Sequence, residues 1–242
     1  RALFLVEQAA LALVDGRVDD AVALDREARA AAHACGARSV IAAAHVEAAE
    51  LALDREDAAG ALAHANLACA QARLVEAPSA TLEAQLVRAR ARRANGDLGG
   101  ARAALAAVAC ALARCPDREH AGLLAIERAL LEGEPGGSAP QMRRDLAAAA
   151  QALAPLGGRP AAIALAMRAL LDPEQVERGA LLKAASEPLD AECRALLSLA
   201  CGERVDGPGF FLVRSAAPLR RSPERREMVV GEIIDMPSAS ST

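Results

Sequence analysis

The segment Gly16-Arg17-Val18-Asp19-Asp20-Ala21 has the composition of a tight turn followed by the start of a helix. Its glycine can end the preceding helix, and its two aspartates suit the positive end of the dipole of the next one. Related turns occur forty and eighty residues further on, at residues 56–61 and 96–101. A weaker fourth copy starts at Gly136. The turns therefore indicate a unit that repeats along the chain.

Two columns of small residues support the same period of forty residues. They lie upstream and downstream of the turns: Ala9, Ala49, Ala89, Ala129 and Ala169, then Ala28, Ala68, Val108 and Ala148. In an alanine-rich chain, roughly one sequence in twenty would show some five-member alanine column at this period by chance, so the first column counts only together with the turns. Small residues at fixed positions allow paired helices to approach closely.

Each unit is predicted to be two antiparallel helices joined by a short turn. The units are expected at residues 2–34, 39–76, 80–115, 119–156 with an elbow at 133–140, and 161–186. Breaks are expected at residues 77–79 and 157–160, and residues 190–201 are expected to form a capping helix. One hairpin cannot bury both of its apolar faces, so the units must stack. The predicted fold class is all-α, an α-α superhelix of about five hairpins over residues 1–201.

The chain changes character after residue 201. Glycine and proline interrupt it, and two short apolar runs, Phe210-Phe211-Leu212-Val213 and residues 228–234, have the pattern of strands. Residues 202–242 are therefore expected to be a linker or tail with two strand-like segments. These segments could dock on the last helix or belong to a further domain.

The composition excludes several classes of partner. The formal net charge is −4, which gives no general attraction to nucleic acid or to anionic membranes. Aromatic residues make up only 1% of the chain, so stacking sites for sugars or unstacked bases are not expected. Six cysteines without a CxxC pair do not form a disulfide framework and favour a reducing, cytoplasmic setting. No apolar run approaches the length of a membrane span.

No motif for catalysis, a cofactor or a metal is present. The single lysine, Lys183, has no glycine-rich approach, and there is no GxGxxG, GxSxG or HExxH pattern. His45 and His64 are expected on the two helices of the second unit, where they can approach each other, but no nucleophile accompanies them. Cys110, Cys115 and His120 are potential zinc ligands, but no fourth ligand lies at a suitable spacing from them. The sequence predicts a protein that is not an enzyme.

The unit resembles the tetratricopeptide repeat over residues 2–186. The resemblance lies in a small residue within the first helix, a G-x-[apolar]-x-x-A turn and a small residue seven positions later. It is best in the first and third units: Ala9, Gly16, Ala21 and Ala28, then Ala89, Gly96, Ala101 and Val108. The period of forty exceeds the usual one of about 34, and the expected aromatic residues are missing. The chain is similar in style to helical arrays of large bacterial signalling ATPases and transcriptional regulators.

The resemblance implies that the first helix of each unit lines a concave groove. On that basis three sets of residues are placed in the groove. The apolar set is Val6, Val46, Leu86 and Ile126, and the acidic set beside it is Glu7, Glu47 and Glu127. The third set, one helical turn further on, has mixed charge: Glu50, Arg90 and Arg93. An apolar trough with acidic edges would suit an amphipathic, somewhat basic helix or an extended peptide. Alternatively, the apolar residues pack against the second helices and the acids form an ordinary solvated edge.

The sequence therefore predicts two alternative functions. The first is a non-catalytic module that binds a protein, peptide or effector within a larger bacterial signalling or transcriptional regulator. The second is a structural spacer or oligomerisation scaffold without a dedicated ligand. Self-association would use the apolar end of the first helix, formed by Leu3, Phe4 and Leu5.

Overall fold

The structure, a computed structural model, describes residues 1–14, 17–75, 77–171, 176, 178–185 and 191–200. These residues form α-helices and one short 3₁₀ turn, with no strand among them, which confirms the predicted all-α class. The helices are α1 (Ala2–Val14), α2 (Val18–Cys35), α3 (Arg38–Asp54), α4 (Ala58–Ala72), α5 (Pro78–Ala94), α6 (Leu98–Arg114), α7 (Arg118–Glu132), α8 (Ala139–Leu153), α9 (Gly158–Leu171), α10 (Arg178–Ala185) and α11 (Ala191–Ala200).

Consecutive helices pair as four hairpins: α1 with α2, α3 with α4, α5 with α6, and α7 with α8. Helices α10 and α11 pack on α9. Two of the expected breaks are wrong in detail because prolines begin helices there. Pro78 is the first residue of α5, and α9 begins at Gly158 with Pro160 in its first turn. Proline is tolerated at these positions because the first N–H groups of a helix have no acceptor within it.

The upstream alanine column is buried in all five units, with exposed fractions of 0–7%: Ala9, Ala49, Ala89, Ala129 and Ala169. The downstream column is buried at Ala28, Ala68 and Val108. In the fourth unit it moves by one position, because Ala148 is exposed and Ala149 is buried. The elbow between α7 and α8 is longer than the earlier turns, and α8 therefore starts in a shifted register.

The first helices lie on the inner side of the array. Each of α1, α3, α5 and α7 packs against the first helix of the next unit, whereas successive second helices make no comparable contact in the described residues. A stack in which one layer of helices is closer together than the other must curve toward the closer layer. The first helices therefore form the concave face and the second helices the convex face.

The ends of the chain match the expectations only in part. Leu3 and Phe4 are 52% and 60% exposed, but Leu5 is 8% exposed and packs inward. The two predicted strands of the tail lie outside the described residues. Among the helices that the structure describes, none is both long enough and apolar enough to cross a membrane.

Helices α7 and α8 are in close contact at Gly122. A Cβ atom added there would lie 2.3 Å from Cγ of Leu153, a side chain that is fully buried. Gly99, in the first turn of α6, offers a contrast because an added Cβ would meet nothing closer than an Asp97 oxygen at 4.0 Å.

We expect Gly122→Ala to lower the free energy of unfolding by about 1–3 kcal/mol, because overpacking outweighs the better helix propensity of alanine. Gly99→Ala serves as the matched control and should raise the same quantity by up to about 1 kcal/mol. Urea unfolding followed by circular dichroism measures both variants. Equal stabilisation by the two substitutions would contradict the close contact.

Candidate functional site

Arg90 of α5 joins the first helices of three successive units on the concave face. Its guanidinium donates to the carboxylate of Glu50 on α3, and its Nε donates to Oε1 of Glu127 on α7 at 2.6 Å. Glu127 is only 2% exposed. Burial by itself lowers the pKa of Arg90, but Glu50 and Glu127 outweigh it and raise the pKa above its ordinary value. Arg90 therefore stays charged.

Arg93 adds a second cation to this network. Its guanidinium lies 3.8 Å from Oε2 of Glu127 and 3.5 Å from Oε1 of Glu134. Each carboxylate oxygen of Glu127 thus faces a different arginine. The structure brings together four of the predicted groove residues, Glu50, Arg90, Arg93 and Glu127, but as a network that ties units to one another rather than as a free rim.

The predicted apolar trough is wrong. Leu86 and Ile126 are 3% and 2% exposed, so they are not available to a partner. Leu86 packs in a cluster with residues of α6, and Ile126 packs in a cluster with residues of α8. Val6 and Val46 are half-buried and also pack against core clusters. The second helices take up these side chains, which was the alternative that the sequence left open.

The exposed charges of the predicted groove are Glu7 and Glu47. Glu47 reaches solvent, but it lies on a concave surface where surrounding protein displaces much of its hydration. This burial, followed by repulsion from Glu50, raises the pKa of Glu47 to about 7, and Glu83 adds to the shift. Arg159 at the start of α9 acts in the opposite direction without cancelling it.

The repeat explains why Glu47 differs from Glu127, which occupies the same position two units later. Arg90 and Arg93 precede Glu127 by 37 and 34 residues. The positions that precede Glu47 by the same distances hold Ala10 and Leu13, which carry no charge. Glu47 forms no ion pair among the described residues, so it is a concave-face carboxylate that lacks the arginine pair of its counterpart.

Histidines from three helices meet at one place in the first two units. Nδ1 of His45 lies 3.2 Å from Nδ1 of His64, as the sequence led us to expect, so one ring donates to the other. The ring of His33 lies 5.7 Å from that of His45. The sequence did not indicate His33, because it belongs to the preceding unit.

The surroundings of the pair disfavour its protonation. Burial, then His64, His33 and Arg29, lower the pKa of His45 to about 4, while Asp25 opposes them. Burial followed by Arg29 lowers the pKa of His64 too. Asp25 is itself held by Arg29, which donates to its carboxylate at 2.8 and 3.0 Å.

The remaining candidate ligands do not assemble into a metal centre. Cys110 and Cys115 are exposed, and Nδ1 of His120 lies 2.7 Å from the carboxylate of Asp117. In the part of the chain that the structure describes, no group of three or more histidine, cysteine, aspartate or glutamate side chains is arranged to hold a metal ion.

Known proteins supply no further constraint on the site. No protein family, no curated protein and no solved structure matches this chain. The resemblance to the tetratricopeptide repeat therefore stays an expectation drawn from the residues.

Removing Glu127 should be costly because it leaves the buried Arg93 and the partly buried Arg90 without their shared carboxylate. We expect Glu127→Ala to lower the free energy of unfolding by about 3–5 kcal/mol. Glu134→Ala, which removes a partner of Arg93 that is 34% exposed, should cost less than about 1 kcal/mol. Chemical unfolding at pH 7 compares the variants, and similar losses would show that the network does not tie the units together.

His45 should make stability depend on pH. Its pKa is lowered from 6.5 to about 4 in the folded chain, so the unfolded chain takes up the proton first as pH falls. The contribution of His45 to the free energy of unfolding therefore has its full value above pH 6.5 and decreases by about 2–3 kcal/mol as the pH falls toward 4.

The measurement is the difference in unfolding free energy between the unmodified chain and His45→Gln from pH 7 to pH 4. Taking the difference removes the contribution of Glu47, which acts in the opposite sense because its pKa is raised. The exposed His33→Gln is the control and should keep most of the dependence. A difference that does not change with pH would contradict the assignment.

Proposed function

We propose that this array is a non-catalytic protein-interaction module whose concave face binds a basic helix or extended peptide. The observation that carries this is Glu47, a solvent-reachable carboxylate that lacks the two arginines held by its repeat counterpart Glu127. An arginine or lysine of the partner would take the place of that missing pair. Such modules serve larger signalling and transcriptional regulators, in keeping with the resemblance of the repeat.

The balance of charge around Glu47 supports a cationic partner. Glu7 and Glu83 are also exposed, and the arginines on the neighbouring helix are already engaged, since Arg90 and Arg93 hold Glu127. A guanidinium placed beside Glu47 would favour its ionised form and form a charge-assisted hydrogen bond. Because Leu86 and Ile126 are buried, the partner would be recognised more by charge than by an apolar stripe.

Glu47→Gln tests this directly. The assay is fluorescence anisotropy of a labelled helical peptide of about 20 residues, with leucine on one face and arginine on the other. At pH 8 we expect the substitution to weaken binding about tenfold, which corresponds to roughly 1.4 kcal/mol. Glu27→Gln makes the same chemical change at an exposed position of α2, on the convex face, and should leave binding unchanged.

The same titration should depend on pH in a defined direction. Glu47 has a pKa near 7, so it is mostly protonated at pH 6 and ionised at pH 8. Affinity for the arginine peptide should therefore rise about fivefold over this range in the unmodified chain and not in Glu47→Gln. Equal binding of a control peptide with glutamate in place of arginine would overturn the proposed function.

A further inference from the structure

Arg88 of α5 is a partly buried cation for which the described residues supply no anion. Its Nη2 donates to Oε1 of Gln85, which is a neutral side chain. Its Nε is buried without an acceptor, and no carboxylate of the described residues pairs with this guanidinium. By contrast, Arg90 and Arg93 on the same helix both face carboxylates. A partly buried charge that lacks a partner is costly, so the position of Arg88 calls for a physical reason.

Arg88 lies on the convex side of α5, away from the concave face. It precedes Arg90 by two residues, and two residues turn a helix by about 200°. Arg92 follows Arg88 by one turn on the same side, and its Nη1 donates to the carbonyl oxygen of Gly100 on α6 at 3.0 Å. Helices α4 and α6 both pack on α5 and make no comparable contact with each other. The two arginines therefore lie at the base of the gap between two second helices.

A further arginine approaches the same place from α4. Helices α4 and α5 run antiparallel, and Sγ of Cys69 donates to the carbonyl oxygen of Ala84 at 3.2 Å, which sets their register. Arg73 and Arg88 each follow one of these two residues by four positions. Side chains tilt toward the N-terminus of their helix, so on antiparallel helices both guanidiniums extend back toward Cys69. Burial raises the pKa of the Cys69 thiol, and these two arginines and Arg92 oppose that rise, as expected for cations close to the sulfur.

The positive charge at this place is unbalanced by about two units, as the ion pairs show. Arg92 lies 3.9 Å from Oδ2 of Asp97, but neither Arg73 nor Arg88 has a carboxylate partner among the described residues. A phosphate monoester carries nearly two negative charges at neutral pH and has three oxygens that accept hydrogen bonds. Two guanidiniums match it in charge and in geometry, because each can donate two parallel N–H bonds. A carboxylate would balance only one of them.

We propose that Arg73 and Arg88, with Arg92 beside them, bind a phosphate monoester in the gap between α4 and α6. The buried Nε of Arg88 would then gain its acceptor. A small phosphate compound and a phosphorylated side chain of another protein both present this group. The site lies on the convex side, so it does not depend on Glu47 or on the peptide site of the concave face.

The first experiment uses inorganic phosphate as the probe and measures the urea midpoint of the unmodified chain at constant ionic strength. We expect the midpoint to rise and then to level off, because phosphate binds the folded chain and not the unfolded one. Sulfate, a dianion of similar shape, should have the same effect, whereas acetate should need at least about tenfold higher concentrations. Equal effects of acetate and phosphate would contradict a site for a dianion.

Substitutions locate the effect. Arg88→Met and Arg73→Met should each raise the phosphate concentration that gives half of the effect by at least about tenfold. Arg102→Met is the matched control, because it removes an exposed arginine of α6 on the side away from Gly100, and it should change this concentration less than about twofold. A response to phosphate that is the same in all three variants would overturn the assignment.

The stability of Arg88→Met without phosphate is a separate check. The substitution removes a partly buried charge that has no anion and keeps a side chain of similar length, so the urea midpoint should not fall. A clear fall would show that the guanidinium already has its partner within the chain, and would count against the site. Arg73→Met is exposed and reports on phosphate binding even if Arg88→Met does not fold.

A pair of labelled peptides separates the two sources of the phosphate group. They are about 12 residues long and differ only in a central phosphoserine or serine, and fluorescence anisotropy follows their binding. A phosphoserine peptide that binds at least about tenfold more tightly than inorganic phosphate assigns the site to a phosphorylated partner, and equal affinities assign it to a small phosphate compound. Equal binding of the serine peptide, or no saturable binding of phosphate and phosphoserine peptide alike, would overturn the proposal.

Discussion

The whole array depends on the small size of alanine where helices cross. In the second unit, Ala49 and Ala52 of α3 meet Ala61 and Ala65 of α4 in one buried cluster. Such pairs allow helix axes to approach to about 8 Å, the lower end of the usual range. Alanine contributes little apolar area, so a single hairpin gains little from burial and the units need one another.

Ion pairs between units fix how neighbouring units are oriented, which contacts between small alanine side chains do not. Arg90 reaches Glu50 in the unit before it and Glu127 in the unit after it, so it fixes the orientation of three first helices at once. A buried carboxylate is tolerated only when its charge is matched, and Glu127 has two arginines. The same position in the second unit, Glu47, has no such pair of arginines.

The sequence predicted the period, most helix ends, the buried alanine column and the approach of His45 to His64. These features are local or follow directly from the repeat. The burial of individual side chains could not be predicted, because a column shows which residues are equivalent and not how far the neighbouring helices cover them. Leu86 and Ile126, which were expected in the groove and are buried, are examples. The charge network was only partly within reach of the sequence: Glu50 and Arg90 stand in the same column forty residues apart, whereas Glu127 follows Arg90 by 37 residues and stands in a different column.

Stability is distributed unevenly along the array, and this has a mechanical consequence. The ion-pair network joins the second, third and fourth units, whereas the first unit is held by alanine contacts and by packing beside the histidines. In a stack where each unit contacts only its neighbours, a pulling force detaches the least supported unit first. The array should therefore behave as a spring with a compliant N-terminal end and a stiff middle, giving way one hairpin at a time from α1 and α2 inward.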